Sequence, residues 1–454
     1  MSNKMATCIL LVLFAAVHVV TGTDWLQWRG PLNTGMAVGD APLRWSDSSN
    51  IKWRTAIPGK GHSTPLIIGN RVFLTTAVPT GRRSDVGPNR SRAGGGVDAG
   101  LEHRFEVVAL DRNTGKVAWQ RTALVATPHE GYHRTYGSFA SNSPATDGKR
   151  LFAFFGSRGL YAYDLNGAPL WQKDFGVRMR MDQAFGEGTA VTLYDNRLLL
   201  HFDHLDRGFL AMLEPETGRE IWRTPRTERY NWAAPFVAVH NGKRQIIVNG
   251  LTVRSYEFET GKLIWEAAGL GENSIPQPVQ HGDLVYAISG HTVRMIMAIR
   301  LGRSGNLTGT DAIAWSTPRG AAYTPSPLLH QNRLYVVTDS GLLSNFNATT
   351  GEPLYQQQRL PKPYNFKASP VGANGKIYLA TEEGDVVVVR LGDRFEVLAT
   401  NTLTDQSFIA SPIIVDGDIY LRSQTHLFRI GSSQTSPPGI GGAASRGTRR
   451  AGWY

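Results

Sequence analysis

Seven side chains have types suited to chemistry and fall at recurring positions: His62, Asn142, Glu187, Arg226, Trp232, Tyr323 and Lys367. Trp232 and Tyr323 can stack on a flat ring, and Lys367 and Arg226 can pair with carboxylates. Glu187 with Asn142 can hold a hard cation through oxygen. The densest histidine cluster lies elsewhere, at His201-x-x-His204 with Asp203 and Asp206. Zinc needs three or four converging ligands, whereas two histidines at this spacing on a strand point to opposite faces. The stretch Phe202 to Arg207 therefore reads as a charged hairpin tip, and no metal site is expected. No nucleophile–base set stands out, so no catalytic residue is assigned. Gly94-Gly95-Gly96 lacks the helix and the Lys-Ser/Thr ending of a phosphate loop. Glu382-Glu383 sits in a turn, where solvation is the expected role.

The seven residues lie around a repeated anchor, and the anchor defines the elements that must position them. A Ser/Ala-Pro step precedes a short apolar run at Pro65, Pro144, Pro235, Pro278, Pro327, Pro370 and Pro412, with Ala190 in the equivalent place of the third unit. Successive anchors after Pro144 lie 46, 45, 43, 49, 43 and 42 residues apart, while Pro65 to Pro144 spans 79 because of an insertion. Each unit then runs apolar stretch, Asn/Asp/Gly turn and apolar stretch again, as in Leu334-Tyr335-Val336-Val337 followed by Asp339-Ser340-Gly341. Four antiparallel strands in a unit of about 45 residues make a propeller blade. The serines before proline recur from unit to unit, which marks them as structural. Residues just before each anchor enter the innermost strand and therefore line the central funnel, where propeller ligands sit.

A second phrase closes each unit. Its best copy is Ala109 to Trp119, A-x-D-x-x-T-G-x-x-x-W, with looser copies ending at Trp171, Trp222, Trp265, Trp315 and Tyr355 and a decayed one at Val397. Thr-Gly supplies a tight turn with glycine free to take positive φ. The acidic residue three positions before Thr accepts hydrogen bonds from that turn. The aromatic four residues after Gly lies on the outer strand and packs between blades. Eight units are present, and the last lacks its outer strand. Asn50-Ile51-Lys52-Trp53-Arg54 has the missing pattern, so the expectation is an all-β, eight-bladed propeller closed by an N-terminal strand near Trp53.

The chain has 454 residues and a formal net charge of +11. Residues 1–23 carry Lys4, an apolar run from Ala6 to Val20 and small residues before Asp24, the pattern of a secretory signal peptide. The run is short for a transmembrane helix. Cys8, the one cysteine, lies inside it. Once the signal is removed, disulfides, thiol nucleophiles and cysteine metal sites are excluded. The expected organisation is a propeller over 24–431 with a basic, glycine-rich insertion at 79–105, read as an exposed loop, and a disordered basic tail over 432–454. Export and the lack of a binding module argue against nucleic acid as a partner.

The repeat A-x-D-x-x-T-G-x-x-x-W in eight blades resembles the pyrroloquinoline-quinone (PQQ)-like repeat. Quinoprotein alcohol dehydrogenases share it with the propeller lipoprotein of the outer-membrane assembly machine. Asp24-Trp25-Leu26-Gln27-Trp28-Arg29-Gly30-Pro31 and Asn142-Ser143-Pro144-Ala145-Thr146-Asp147-Gly148 are similar to phrases in secreted bacterial members. The resemblance implies a propeller from Asp24 to about Gly431. It also implies two possible roles. One is a monomeric, non-catalytic secreted or periplasmic module that binds a cell-envelope protein, peptide or polysaccharide and needs no cofactor. The alternative is an alcohol or sugar dehydrogenase holding pyrroloquinoline quinone with calcium in the funnel. The chain departs from the dehydrogenases in lacking a cysteine pair, and from the assembly lipoprotein in lacking a lipobox cysteine.

Overall fold

The computed structural model describes residues 24–30, 32–84 and 93–432. The signal segment with Cys8, the insertion residues Asp85, Arg90 and Arg92, and the tail beyond residue 432 lie outside them. The described residues form eight sheets in ring order, each of four antiparallel strands and one with a short fifth strand added in parallel, with no α-helix and two short 3-10 turns at Gly156–Arg158 and Asp182–Ala184. Among them, no helix is long and apolar enough to cross a membrane.

Innermost strands start at or just after the anchors: Leu66 after Pro65, Ala145 after Pro144, Leu328 after Pro327, Val371 after Pro370 and Ile413 after Pro412. Proline suits this place because its missing N–H falls before the strand ladder begins. The serines before these prolines tie neighbouring blades together. Ser143 Oγ accepts from Thr64 N (2.9 Å), Ser326 Oγ from Gln277 N (2.9 Å), Ser369 Oγ from Ser326 N (3.0 Å) and Ser411 Oγ from Ser369 N (3.0 Å).

The closing phrase works across blade boundaries. Trp119 of blade 1 packs on Gly167 of blade 2, Trp171 on Gly218, Trp222 on Gly261 and Trp315 on Gly351. A Cβ at any of these glycines would lie 2.5–2.8 Å from the ring, so only glycine lets the indole settle on the turn. Each indole N–H also donates to a carbonyl of that next blade, at 3.1 Å for Trp119 and Leu165, 3.0 Å for Trp171 and Pro215, and 3.1 Å for Trp222 and Phe258. The turn itself is held as the sequence suggests, with Asp111 Oδ1 accepting from Thr114 N and Thr114 Oγ1 at 2.9 Å. Trp265 is the exception. The Thr308-Gly309 turn of blade 5 lies away from it, with nothing within 4 Å of a Cβ at Gly309, and the Trp265 indole donates instead to Gln245 of its own blade.

Blade 8 consists of Ile413–Val415, Asp418–Arg422 and His426–Gly431, completed by Ile51–Ala56 from the N-terminal side, with Trp53 opposite Arg429. The Trp53 indole then packs on Gly115 and donates to Arg112 O at 2.8 Å, so the closing strand also staples blade 8 to blade 1. Upstream of it, the segment after Asp24 crosses the propeller axis. Trp25 bridges to Ile67, Leu26 O accepts from Thr146 N, and Gln27 Oε1 accepts from Leu193 N. Arg29, 2% exposed, donates to the carbonyls of Pro327 (2.8 Å) and Pro370 (2.6 Å) on the opposite side.

The insertion departs from the expected exposed loop. It extends two strands of blade 1, Arg71–Arg83 and Leu101–Asp111, into a long ribbon. Its returning limb is packed: Gly96 N donates to Ala184 O, Val97 bridges Tyr132, and Ala99, His103 and Phe105 are buried. Aromatic contacts drive this, since Phe139 meets His103 at 4.9 Å and Tyr132 at 4.8 Å.

Candidate functional site

The eight anchors converge on an axial funnel with about 230 Å³ of open volume, to which every blade contributes a wall residue. Trp28 of the crossing segment also lines it, so the channel has a floor. This residue was missed at the sequence level, because nothing local shows that the segment returns across the axis. Five of the seven candidates line the funnel: His62, Glu187, Trp232, Tyr323 and Lys367.

Their environments differ. His62, 8% exposed, lies 3.0 Å through Nδ1 from the carbonyl of Tyr136, so that nitrogen carries the proton. Its Nε2 is a buried acceptor without a partner. Burial, reinforced by the charges of Lys60 and Arg422, lowers its pKa to about 3, so the ring is neutral. The Trp232 indole is fixed by a 2.9 Å bond to Gly186 O. Tyr323 stacks on His291 with centroids 5.2 Å apart, and burial pushes its phenol up to about 12. Lys367 Nζ lies 3.4 Å from Asp339 and 3.3 Å from Glu382, and 5.1 Å above the Tyr136 ring. Glu382 is thus an ion-pair partner and not a merely solvated turn residue. Glu187 accepts from Ser157 N at 2.5 Å, and desolvation raises its pKa to about 7.

Two candidates lie elsewhere. Arg226 is sealed away with Asp203, both side chains 0% exposed, through bonds of 2.7 and 2.9 Å. It therefore offers no charge to a ligand. The same pair overturns the hairpin-tip reading of Phe202 to Arg207, because Phe202, Asp203 and His204 are buried and only Asp206 and Arg207 are exposed. The apolar run before them carries the acid inward, where Arg226 and Asn231 donate to it and Tyr256 accepts from Arg226. Asn142 lines a separate cavity of about 30 Å³ beside Glu187, room for roughly one water. The atom left without a partner there is Nδ2, a donor. A donor facing a half-protonated carboxyl does not make a cation cradle.

The family profile described as "Outer membrane protein assembly factor BamB" matches residues 103–307 and 303–436, well over half of the chain. The chain belongs to this family. Within the curated proteins, BamB of Yersinia pestis is 21% identical over 342 residues, covering 70% of this chain and 78% of the relative. Tetrathionate hydrolase of Acidithiobacillus ferrooxidans is 22% identical over 367 residues, covering 76% and 67%. Among solved structures, BamB from Moraxella catarrhalis superposes with a TM-score of 0.54 at 12% identity, over 84% of this chain and 98% of that one. Quinohemoprotein alcohol dehydrogenase from Comamonas testosteroni gives 0.60 at 10% identity, over 91% and 82%. These likenesses show the eight-bladed PQQ-like propeller.

The dehydrogenase among the structural neighbours raises the question of whether the funnel suits pyrroloquinoline quinone with calcium. Flat walls are present in Trp232 and Tyr323. The cofactor is a tricarboxylate, however, and the cation on the wall, Lys367, is already held between two carboxylates. Arg226 is sealed away and His62 is neutral. Among the described residues, no group of three or more His, Cys, Asp or Glu is placed to hold a metal ion. The donor set does not fit a calcium–quinone pair.

Proposed function

We propose that this chain is a non-catalytic binding module of the bacterial cell envelope, exported by its N-terminal signal, that captures an extended segment of an envelope protein. The capture surface is the outer edge of blade 1. The observation carrying this reading lies in blade 4. There the outer strand Leu263–Ala268 accepts a fifth strand, Gly305–Asn306, in parallel, with Trp265 opposite Gly305 and Glu266 opposite Asn306. Leu307 N extends the pairing to Glu266 O at 2.8 Å. An outer blade edge of this propeller thus takes an added strand, the mode by which sheets bind peptides.

Blade 1 has the most open such edge. Its outer strand Val117–Ala126 is the longest, at 10 residues, and pairs on one side only among the described residues. The outer strands of blades 2, 3 and 6 carry Pro169, Pro225 and Pro353, which blunt an edge by removing a donor. Val117–Ala126 has no proline, and it exposes Val117 (48%) and Val125 (53%). Relatives named as assembly factors for outer membrane proteins support a protein partner of this kind.

The test places a photo-crosslinking residue at Val125 in the exported protein and follows amide exchange of Val117–Ala126 in the purified complex. Capture at this edge, slowed exchange along the strand, and loss of both in Val117→Lys/Val125→Lys are expected. Capture unchanged by those lysines would refute the edge. Titration with pyrroloquinoline quinone and calcium, with dye-linked alcohol oxidation as readout, tests the dehydrogenase alternative. Saturable binding with turnover would replace the present reading.

A further inference from the structure

We propose that the axial funnel is a second binding site, independent of the blade edge, for a single neutral, hydroxyl-rich ring such as the terminal sugar of an uncharged polysaccharide. Four features lead there. First, the funnel is small. Trp28 of the crossing segment adds to its lining, and its open volume of about 230 Å³ suits a ring-sized ligand and not a protein segment.

Second, its charges are spent. Lys367 is bracketed by Asp339 and Glu382, and Glu187 is capped by Ser157 N and set against Gly156. An anionic ligand finds no free cation on this wall, and a ligand charge of either sign would give up its hydration to enter.

Third, the wall carries one buried, unanswered acceptor. The carbonyl of Tyr136 fixes the proton on His62 Nδ1 and leaves Nε2 facing no donor. Buried acceptors are ordinarily paired, so an unpaired one in a residue that lines the cavity, itself closed to water, is where a ligand hydroxyl would pair once the ring shifts towards the funnel. A hydroxyl is such a donor, and it can accept in turn from the hydroxyls of Thr64 or Thr189, which line the same space.

Fourth, the aromatic walls are held rigid. Trp232 is anchored through Gly186 O, and Tyr323 is backed by His291. Fixed aromatic faces bind the apolar C–H face of a sugar ring without losing side-chain freedom on binding. Neutral charge, one waiting acceptor, surrounding hydroxyls and flat walls together describe a carbohydrate site.

The experiment titrates the full exported protein with methyl β-glucoside and N,N′-diacetylchitobiose as neutral probes, and with glucuronate and glucosamine as charged ones. Binding is read by tryptophan fluorescence and by the ¹⁵N shift of His62 Nε2. The expected result is saturable binding of at least one neutral probe, roughly tenfold or more tighter than either charged sugar, with a change at His62 Nε2 in the wild-type protein. His62→Phe should weaken binding about tenfold in protein that remains folded at neutral pH, above the window in which this histidine affects stability. Thr189→Val, which leaves the Tyr136 contact intact, should weaken it by a smaller factor. Absence of saturable binding at millimolar sugar, tighter binding of a charged probe, or a silent His62 resonance would overturn the proposal.

Discussion

Two glycines separate backbone strain from the packing that staples blades. Gly261 and Gly242 both sit in turns of blade 4, with φ of +69° and +72°. A Cβ at Gly242 would meet nothing within 4 Å, whereas one at Gly261 would lie 2.5 Å from the Trp222 ring and 2.6 Å from Thr224 Oγ1. Gly242→Ala should therefore cost only the left-handed strain, about 1–2 kcal/mol. Gly261→Ala carries the same strain plus overpacking of roughly 1–3 kcal/mol, or about 2–5 kcal/mol in all. Trp222→Ala should cost about 3–5 kcal/mol, from the lost area and the cavity between blades 3 and 4. The double variant Gly261→Ala/Trp222→Ala should cost less than the sum, because the clash with the ring goes and only that with Thr224 Oγ1 stays. Urea unfolding followed by far-ultraviolet circular dichroism measures all four proteins. Equal costs at the two glycines, or strict additivity in the double variant, would refute the claim that the ring seats on this turn.

Asp203→Asn should destabilise by about 3–5 kcal/mol, since it leaves Arg226 charged and buried, while Asp203→Leu/Arg226→Met should recover most of that loss. Burial by itself would raise the Asp203 pKa, but Arg226 outweighs it and holds the carboxyl below its ordinary value. The pair's stabilisation is thus present above about pH 4 and lost as pH falls through the depressed folded value; guanidinium melts of Asp203→Asn should show that acid limb flattened. The His62 pKa, lowered to about 3 mainly by burial, acts in a higher window. The unfolded chain takes up a proton there below about pH 6.5 while the folded one does not, so stability declines as pH falls from about 6.5 towards 3. A His62→Phe melt series should lose up to about 1.4 kcal/mol per pH unit of that slope, and an unchanged series would refute the neutral, buried ring.

Much of this architecture is local information. Runs of apolar residues between Asn, Asp and Gly turns dictate strands, and their period dictates blades, because a single four-stranded unit cannot bury both faces alone. The closing strand near Trp53 was legible for the same reason, as an outer-strand pattern standing before an incomplete last blade. His62, Glu187, Trp232, Tyr323 and Lys367 lie on the funnel because the segments before the innermost strands supply much of the axial wall, although Asn142, in such a segment, turns to a separate cavity.

What the tertiary structure alone decided depends on which parts meet across the ring. The phrase from Asp111 to Trp119 reads as one unit, yet Trp119 answers the glycine of the next blade and Gly115 answers Trp53 from the far end of the fold. Arg226 looks like a free cation until Asp203 is brought against it from another strand. Lys367 looks equally free until Asp339 and Glu382 converge on it, and Trp28 gains its place only when its segment crosses the axis. Strand pattern and turn chemistry act over a few residues and can be read in order. Burial and charge compensation depend on neighbours far away in the chain, and closing the ring is what makes them neighbours.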